Sequence, residues 1–124
     1  MKILVIDGYN VINKISYLSK IADRSLQEAR QAVTELANKY KRKDGGISEI
    51  YVVFDGKDQY RNLDTLTPKE HIFSATGAGD RKIIDTVKMA SDKGIAVVVS
   101  DDNYVRNNAR AYSASLLHCE QLIK

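Results

Sequence analysis

Residues 3–10 read Ile3-Leu4-Val5-Ile6-Asp7-Gly8-Tyr9-Asn10, four consecutive apolar residues running directly into an acid, a glycine and an amide. A short, unbroken apolar run rich in β-branched residues is the pattern of a strand covered on both faces. Two further runs repeat it, Ile50 to Phe54 and Ile95 to Val99, with weaker versions over His71 to Ala75 and Ala111 to Ala114. Between the first two strong runs, Leu26, Ala29, Val33, Leu36 and Tyr40 recur at helical spacing. Ser25 and Glu28 form a capping-box pair at its start, and Gly45-Gly46 ends the segment. A second helix is expected over Arg81 to Ser91, with Ile83, Ile84, Val87 and Ala90 inward and Gly94 as its stop. A third should start near Asn103 and contain Val105 and Ala109, and a short terminal helix should cover Leu116 to Ile123. Strands alternating with helices predict an α/β fold, a parallel sheet between two helical layers joined by right-handed crossovers.

The 124 residues suit one domain, and no repeat or Gly/Ser/Pro linker divides them. With 44% hydrophobic and 28% charged residues, the composition is that of a globular chain and excludes wholesale disorder. Nineteen basic residues against 16 acids leave a net charge of +3, compatible with a polyanionic partner without pointing to one. Lys39, Lys41, Arg42 and Lys43 cluster where a helix should end, a place where cations also complement the dipole. A lone cysteine, Cys119, excludes an internal disulfide and a cysteine zinc cage. The apolar run at the N-terminus is too short for a secretory core or a membrane span, so a reducing, cytoplasmic setting is expected.

The chemistry lies in the acids. Asp7, Asp55 and the pair Asp101-Asp102 each follow a strong strand within two residues, and Asp80 closes the Gly77-Ala78-Gly79 loop before the second helix. In a parallel sheet the carboxyl ends of all strands share one edge, where ligands bind. Capping accounts for any one of these acids, since aspartate is a favoured cap and turn residue. It accounts poorly for all of them together, because clustered anions repel unless a cation intervenes. Oxygen ligands favour a hard divalent ion, Mg²⁺ or Mn²⁺, and neither His71 nor His118 stands at metal-ligand spacing. Gly8 permits a close approach or a positive φ, and Asn10 can donate to a phosphate, hold a metal-bound water or cap a short helix beginning at Val11. Ser100 can orient Asp101 or bond the same water. No G-x-G-x-x-G follows the first strand and no P-loop exists, which disfavours a nucleotide-binding module. A haloacid-dehalogenase-like phosphotransferase needs an acid where Tyr9 stands.

These residues resemble the NYN domains, in particular the YacP-like branch of the PIN-like nucleases. The likeness runs from the Asp7-Gly8-Tyr9-Asn10 turn through Glu28-Ala29-Arg30, Tyr51 to Gly56 and Gly79-Asp80 to Val97-Val98-Val99-Ser100-Asp101, essentially the whole chain. It implies one PIN-like domain over residues 1–124, a three-layer α/β/α fold with a mainly parallel sheet of four to five strands. It also implies a metal-dependent endoribonuclease. Asp7, Asn10, Asp80 and Asp101 match the family's catalytic positions, although Gly79 replaces an alanine before Asp80. The family's further acid, four residues into the helix, falls on Ile84, with Asp85 one residue late. On this resemblance Asp7, Asp80 and Asp101 hold Mg²⁺ or Mn²⁺, with Asp102 as an outer ligand or a helix cap. From their placement near the same edge, Gly8, Tyr9, Lys57, Arg81, Lys82, Ser100 and Arg106 are expected to contact substrate, Tyr9 by stacking on a base or else by packing in the core. The implied partner is RNA, expected to be single-stranded, and a small domain with little basic surface would take its specificity from a larger RNA-processing assembly. The competing reading is a PIN-like module that binds RNA or protein without cutting.

Overall fold

The computed structural model describes residues 1–54, 71–73 and 79–124, with side chains for all of these except 71–73 and 79–81. Strand β1 (Lys2–Asp7) leads into three helices, α1 (Gly8–Lys14), α2 (Ser16–Arg24) and α3 (Leu26–Lys43). Strands β2 (Ile47–Phe54) and β3 (His71–Phe73) follow, then α4 (Gly79–Lys93), β4 (Ile95–Val99), α5 (Asn103–Arg110), β5 (Ser115–Leu117) and a closing 3-10 turn over Cys119–Ile123. The sheet has five strands in the order β3-β2-β1-β4-β5, and every pairing is parallel.

Side chains alternate across β1 because successive residues of a strand face opposite ways. Leu4 and Ile6 meet Val11, Leu18, Val33 and Phe54 beneath α1, α2 and α3. Ile3 and Val5 meet Ile83, Val87, Val98 and Val105 beneath α4 and α5. All four are fully buried, which is why the run is unbroken rather than alternating. The three-layer α/β/α reading holds, with five strands in the sheet. The chain winds outward from β1 through β2 to β3, then crosses to β4 on the other side, so the strand order reverses beside β1. A crevice opens at the carboxyl ends of the strands where the winding reverses. Helices α4 and α5 start at that edge because each follows a strand of the same direction.

Several expectations shift. Residues 8–24 form two helices, so Gly8 starts α1 and Asn10 lies inside it rather than capping a helix at Val11. Ser25 accepts the Glu28 amide at 3.2 Å, but the reciprocal half of the capping box is displaced. The Ser25 amide, at the C-terminus of α2, already donates to the Ile21 carbonyl at 2.7 Å, and Glu28 pairs with Arg24. Helix α4 is longer at both ends than expected. The fifth strand lies over Ser115–Leu117, not Ala111 to Ala114, because α5 closes through residues 111–113. Ser113 takes a left-handed φ of 59° and Ala114 donates back to the Ala109 carbonyl, an ending usually marked by glycine. The expected terminal helix is reduced to the 3-10 turn because Leu116 and Leu117 complete β5. Among the described residues, no helix is long and apolar enough to cross a membrane.

Gly8 is required for close approach, with no positive φ. A Cβ there would fall 2.5 Å from Phe54 Cδ1 and 3.0 Å from the Val53 carbonyl oxygen. Phe54 is fully buried and cannot swing aside. Gly8→Ala should therefore lose about 1–3 kcal/mol of stability through overpacking. Urea denaturation measures this, and an unchanged midpoint would contradict it.

Candidate active site at the carboxyl edge of β1 and β4

Ile6 pairs with Val99, so Asp7 and Ser100 stand side by side one step past the register, their side chains on the α4/α5 face. Ser100 is fully buried, and its Oγ donates to Asp7 Oδ2 at 2.9 Å while accepting the Asp102 amide at 3.1 Å. Asp7 occupies the N-cap position of α1 yet makes no side-chain cap bond. Asp102 behaves oppositely: its Oδ1 accepts the Val105 amide at 3.0 Å and caps α5. Of the two roles weighed for Asp102, the structure displays the cap.

Asn10, in the first turn of α1, reaches across to β4. Its Oδ1 accepts the Asp101 amide at 2.8 Å and the Cys119 thiol at 3.1 Å, and lies 3.5 Å from Ser100 Oγ. With that oxygen committed, the Nδ2 donors have no hydrogen-bond partner among the described residues. Asp101 Oδ1 accepts from His118 Nδ1 at 2.9 Å and from the Cys119 amide at 3.1 Å. Partial burial pushes the Asp101 carboxyl up, but the Cys119 amide and the His118 ring outweigh it and hold it below the ordinary carboxylate range. Cys119 sits fully buried between these groups. Burial and then the Asp101 charge push its thiol up to about 12.

The sequence candidates thus divide. Asp7, Asn10, Ser100 and Asp101 converge. Gly8 packs against Phe54, which fills the space a Cβ would need. Tyr9 also turns inward: its ring lies 5.0 Å from that of Phe54, and its hydroxyl accepts from the buried Arg30 at 3.3 Å. That is the packing alternative. Arg106 uses Nη1 to join the Ser100 and Leu117 carbonyls at 2.9 and 3.1 Å, clamping the ends of β4 and β5. Lys82 lies half-buried near the start of α4, and Asp85 is exposed on that helix. Asp80 and Arg81 belong to the first turn of α4 at this edge, with side chains outside the described residues. Asp55, Lys57 and the loop residues Gly77 and Ala78 also lie outside them.

Sequence reasoning missed His118 and Cys119. The rule that brings Asp7 and Asp101 to this edge applies equally to the residues following β5. Placing that strand over Ala111 to Ala114 pointed the rule at the wrong residues.

The donor set suits a hard cation. Asp7 and Asp101 offer carboxylate oxygens, and the bonds from His118 and the Cys119 amide both fall on Asp101 Oδ1. The one nearby sulfur is a protonated thiol donating to Asn10 rather than a soft ligand. No group of three His, Cys, Asp or Glu side chains suited to a metal occurs among the described residues. Mg²⁺ typically needs only one or two protein carboxylates, with water and substrate phosphate completing its shell.

The family model for the YacP-like NYN domain matches residues 4–124. No curated protein matches the chain. Among solved structures, the crystal structure of Rae1 (YacP) from Bacillus subtilis, a tryptophan-to-leucine mutant, is similar with a TM-score of 0.77 and 24% identity. The match covers 99% of this chain and 73% of that one, and shows a shared fold.

Two outcomes follow from the charges at this edge. The native Cys119 thiol should resist iodoacetamide at pH 8 and react fully after unfolding in urea, as mass spectrometry would show; rapid native labelling would contradict its burial. Asp101, with its folded value lowered, contributes stability that is present above its unfolded value near 3.9 and lost as pH falls through the folded one. With metal chelated, wild type should therefore lose more stability between pH 7 and about pH 3 than Asp101→Asn, measured by urea unfolding. Equal losses would refute the assignment.

Proposed function

The chain belongs to the YacP-like NYN domain family, and from that premise we propose that it is a divalent-metal-dependent endoribonuclease acting on single-stranded RNA. The observation that carries the reading is the state of Asp7. An acid at a helix N-cap ordinarily caps, as Asp102 does. Asp7 makes no cap bond and is instead held by a buried hydroxyl beside Asp101. This arrangement keeps a carboxylate at the edge when local helix chemistry would otherwise use it.

Asp7 and Asp101, joined by Asp80 from the start of α4, would hold Mg²⁺ or Mn²⁺. Such an ion, when bound, lowers the pKa of water and offsets the charge developing on a phosphodiester under attack. The protein's own groups supply orientation. Ser100 fixes the rotamer of Asp7, and Asn10 ties the Asp101 backbone to α1 while presenting its Nδ2 donors to a phosphate oxygen or a water. Lys57, Arg81 and Lys82 would hold flanking phosphates, contacts that position a strand without reading its sequence. Tyr9 and Arg106 act at one remove, through the core and through the ends of β4 and β5. A lone, buried, protonated thiol fits work in the reducing cytoplasm, with RNA presented by a larger processing assembly.

Purified protein should cleave single-stranded RNA with Mg²⁺ or Mn²⁺ and stop on chelation. Asp7→Asn, Asp80→Asn and Asp101→Asn, each folded by circular dichroism, should lose roughly 100-fold or more of that activity. Should the folded variants cut like wild type, the site is wrong. Should wild type bind RNA but never cut it, the chain is a binding module.

A further inference from the structure

The chain leaves the sheet at Leu117 and turns at once. The His118 amide donates to Gln121 Oε1 at 2.7 Å, and its carbonyl accepts the Gln121 amide at 3.0 Å. Cys119 and Leu122, 0% and 3% exposed, anchor the turn in the layer beneath α1 and α3. The backbone of His118 is therefore fixed, while its side chain stays 62% exposed. It reaches Asp101.

Two donors from this turn, His118 Nδ1 and the Cys119 amide, meet the same oxygen of Asp101. An ionised carboxylate only accepts, so the hydrogen lies on Nδ1. The Asp101 backbone is held from a third segment by Asn10. Fixed at its amide and at Oδ1, the carboxylate has one orientation, and Oδ2 keeps its hydrogen-bonding capacity for another ligand. A pair as exposed as His118–Asp101 adds little to folding stability. Its consequence is directional.

We propose that His118 is a positioning residue for Asp101, orienting the carboxylate so that Oδ2 is presented to a divalent cation. The inference rests on the reading of Asp101 as a cation-holding residue, and it makes the turn after β5 part of the site. Outer groups that hydrogen-bond a ligating carboxylate typically matter 10–100-fold, about that much in metal affinity.

Substitution geometry separates positioning from charge. In asparagine the amide nitrogen is bonded to Cγ, as Nδ1 is in histidine, so His118→Asn keeps an uncharged donor at the same place. His118→Gln moves the nitrogen one bond further out, and His118→Ala removes it. Mn²⁺ binding to the metal-free protein, without RNA, is measured by titration calorimetry for these variants and for Asp101→Asn, with thermal unfolding alongside. His118→Ala and His118→Gln should bind Mn²⁺ about 10–100-fold more weakly at unchanged melting temperature. His118→Asn should stay within about 3-fold of wild type, since donor and geometry persist. If Asp101→Asn weakens binding but His118→Ala does not, the positioning role is overturned and the metal reading stands. If His118→Asn falls as far as His118→Ala, the ring acts by something other than its donor, and the proposal is again overturned. If Asp101→Asn binds Mn²⁺ like wild type, the metal reading itself fails, and the role of His118 with it.

Discussion

One buried hydroxyl joins the two halves of the candidate site. Ser100 Oγ lies between the Asp7 carboxylate at the end of β1 and the Asp102 amide that begins the α5 cap. A serine without exposure must satisfy its hydrogen bonds internally, and here both partners belong to the edge where the winding reverses. Removing the hydroxyl would leave a carboxylate and an amide each short of a partner, at a cost of about 1–3 kcal/mol. It would also release the rotamer of Asp7.

The acids at this edge look alike in sequence and differ in what they touch. Asp102 satisfies an orphan amide of α5, as an aspartate before a helix commonly does. Asp7 stands before α1 and does not. The contrast arises from Ser100, which takes Asp7 Oδ2 from one strand over. Asp101 is held from three sides, by Asn10 on its amide and by His118 and Cys119 on its carboxylate. Burial, and then the negative charges of Asp101 and Asp7, push the Cys119 thiol up, so it stays protonated.

The core beneath the site is shaped for the same edge. Gly8 lets the first turn of α1 lie on the Phe54 ring, with the Tyr9 ring tilted against it and the Arg30 guanidinium over it. This packing sets the angle at which α1 leaves β1, and so carries Asn10 to the Asp101 amide. Arg106 does comparable work opposite, joining the ends of β4 and β5 so that Asp101 and His118 keep their separation.

Three central strands, the principal helices and the gathering of Asp7 and Asp101 were legible in the residues themselves, because short continuous runs rich in β-branched residues suit strands covered on both faces and parallel strands share an edge. The end of α5 was not legible, since Ser113 adopts the left-handed turn without glycine to mark it. That displaced β5 and hid His118 and Cys119. The contacts of Gly8, Tyr9, Asp102 and Arg106 were decided only by tertiary structure. Glycine, tyrosine, aspartate and arginine each suit a phosphate site or a structural contact equally well. The choice depends on partners such as Phe54 for Gly8 or Leu117 for Arg106, whose proximity exists only once the sheet and its layers have closed.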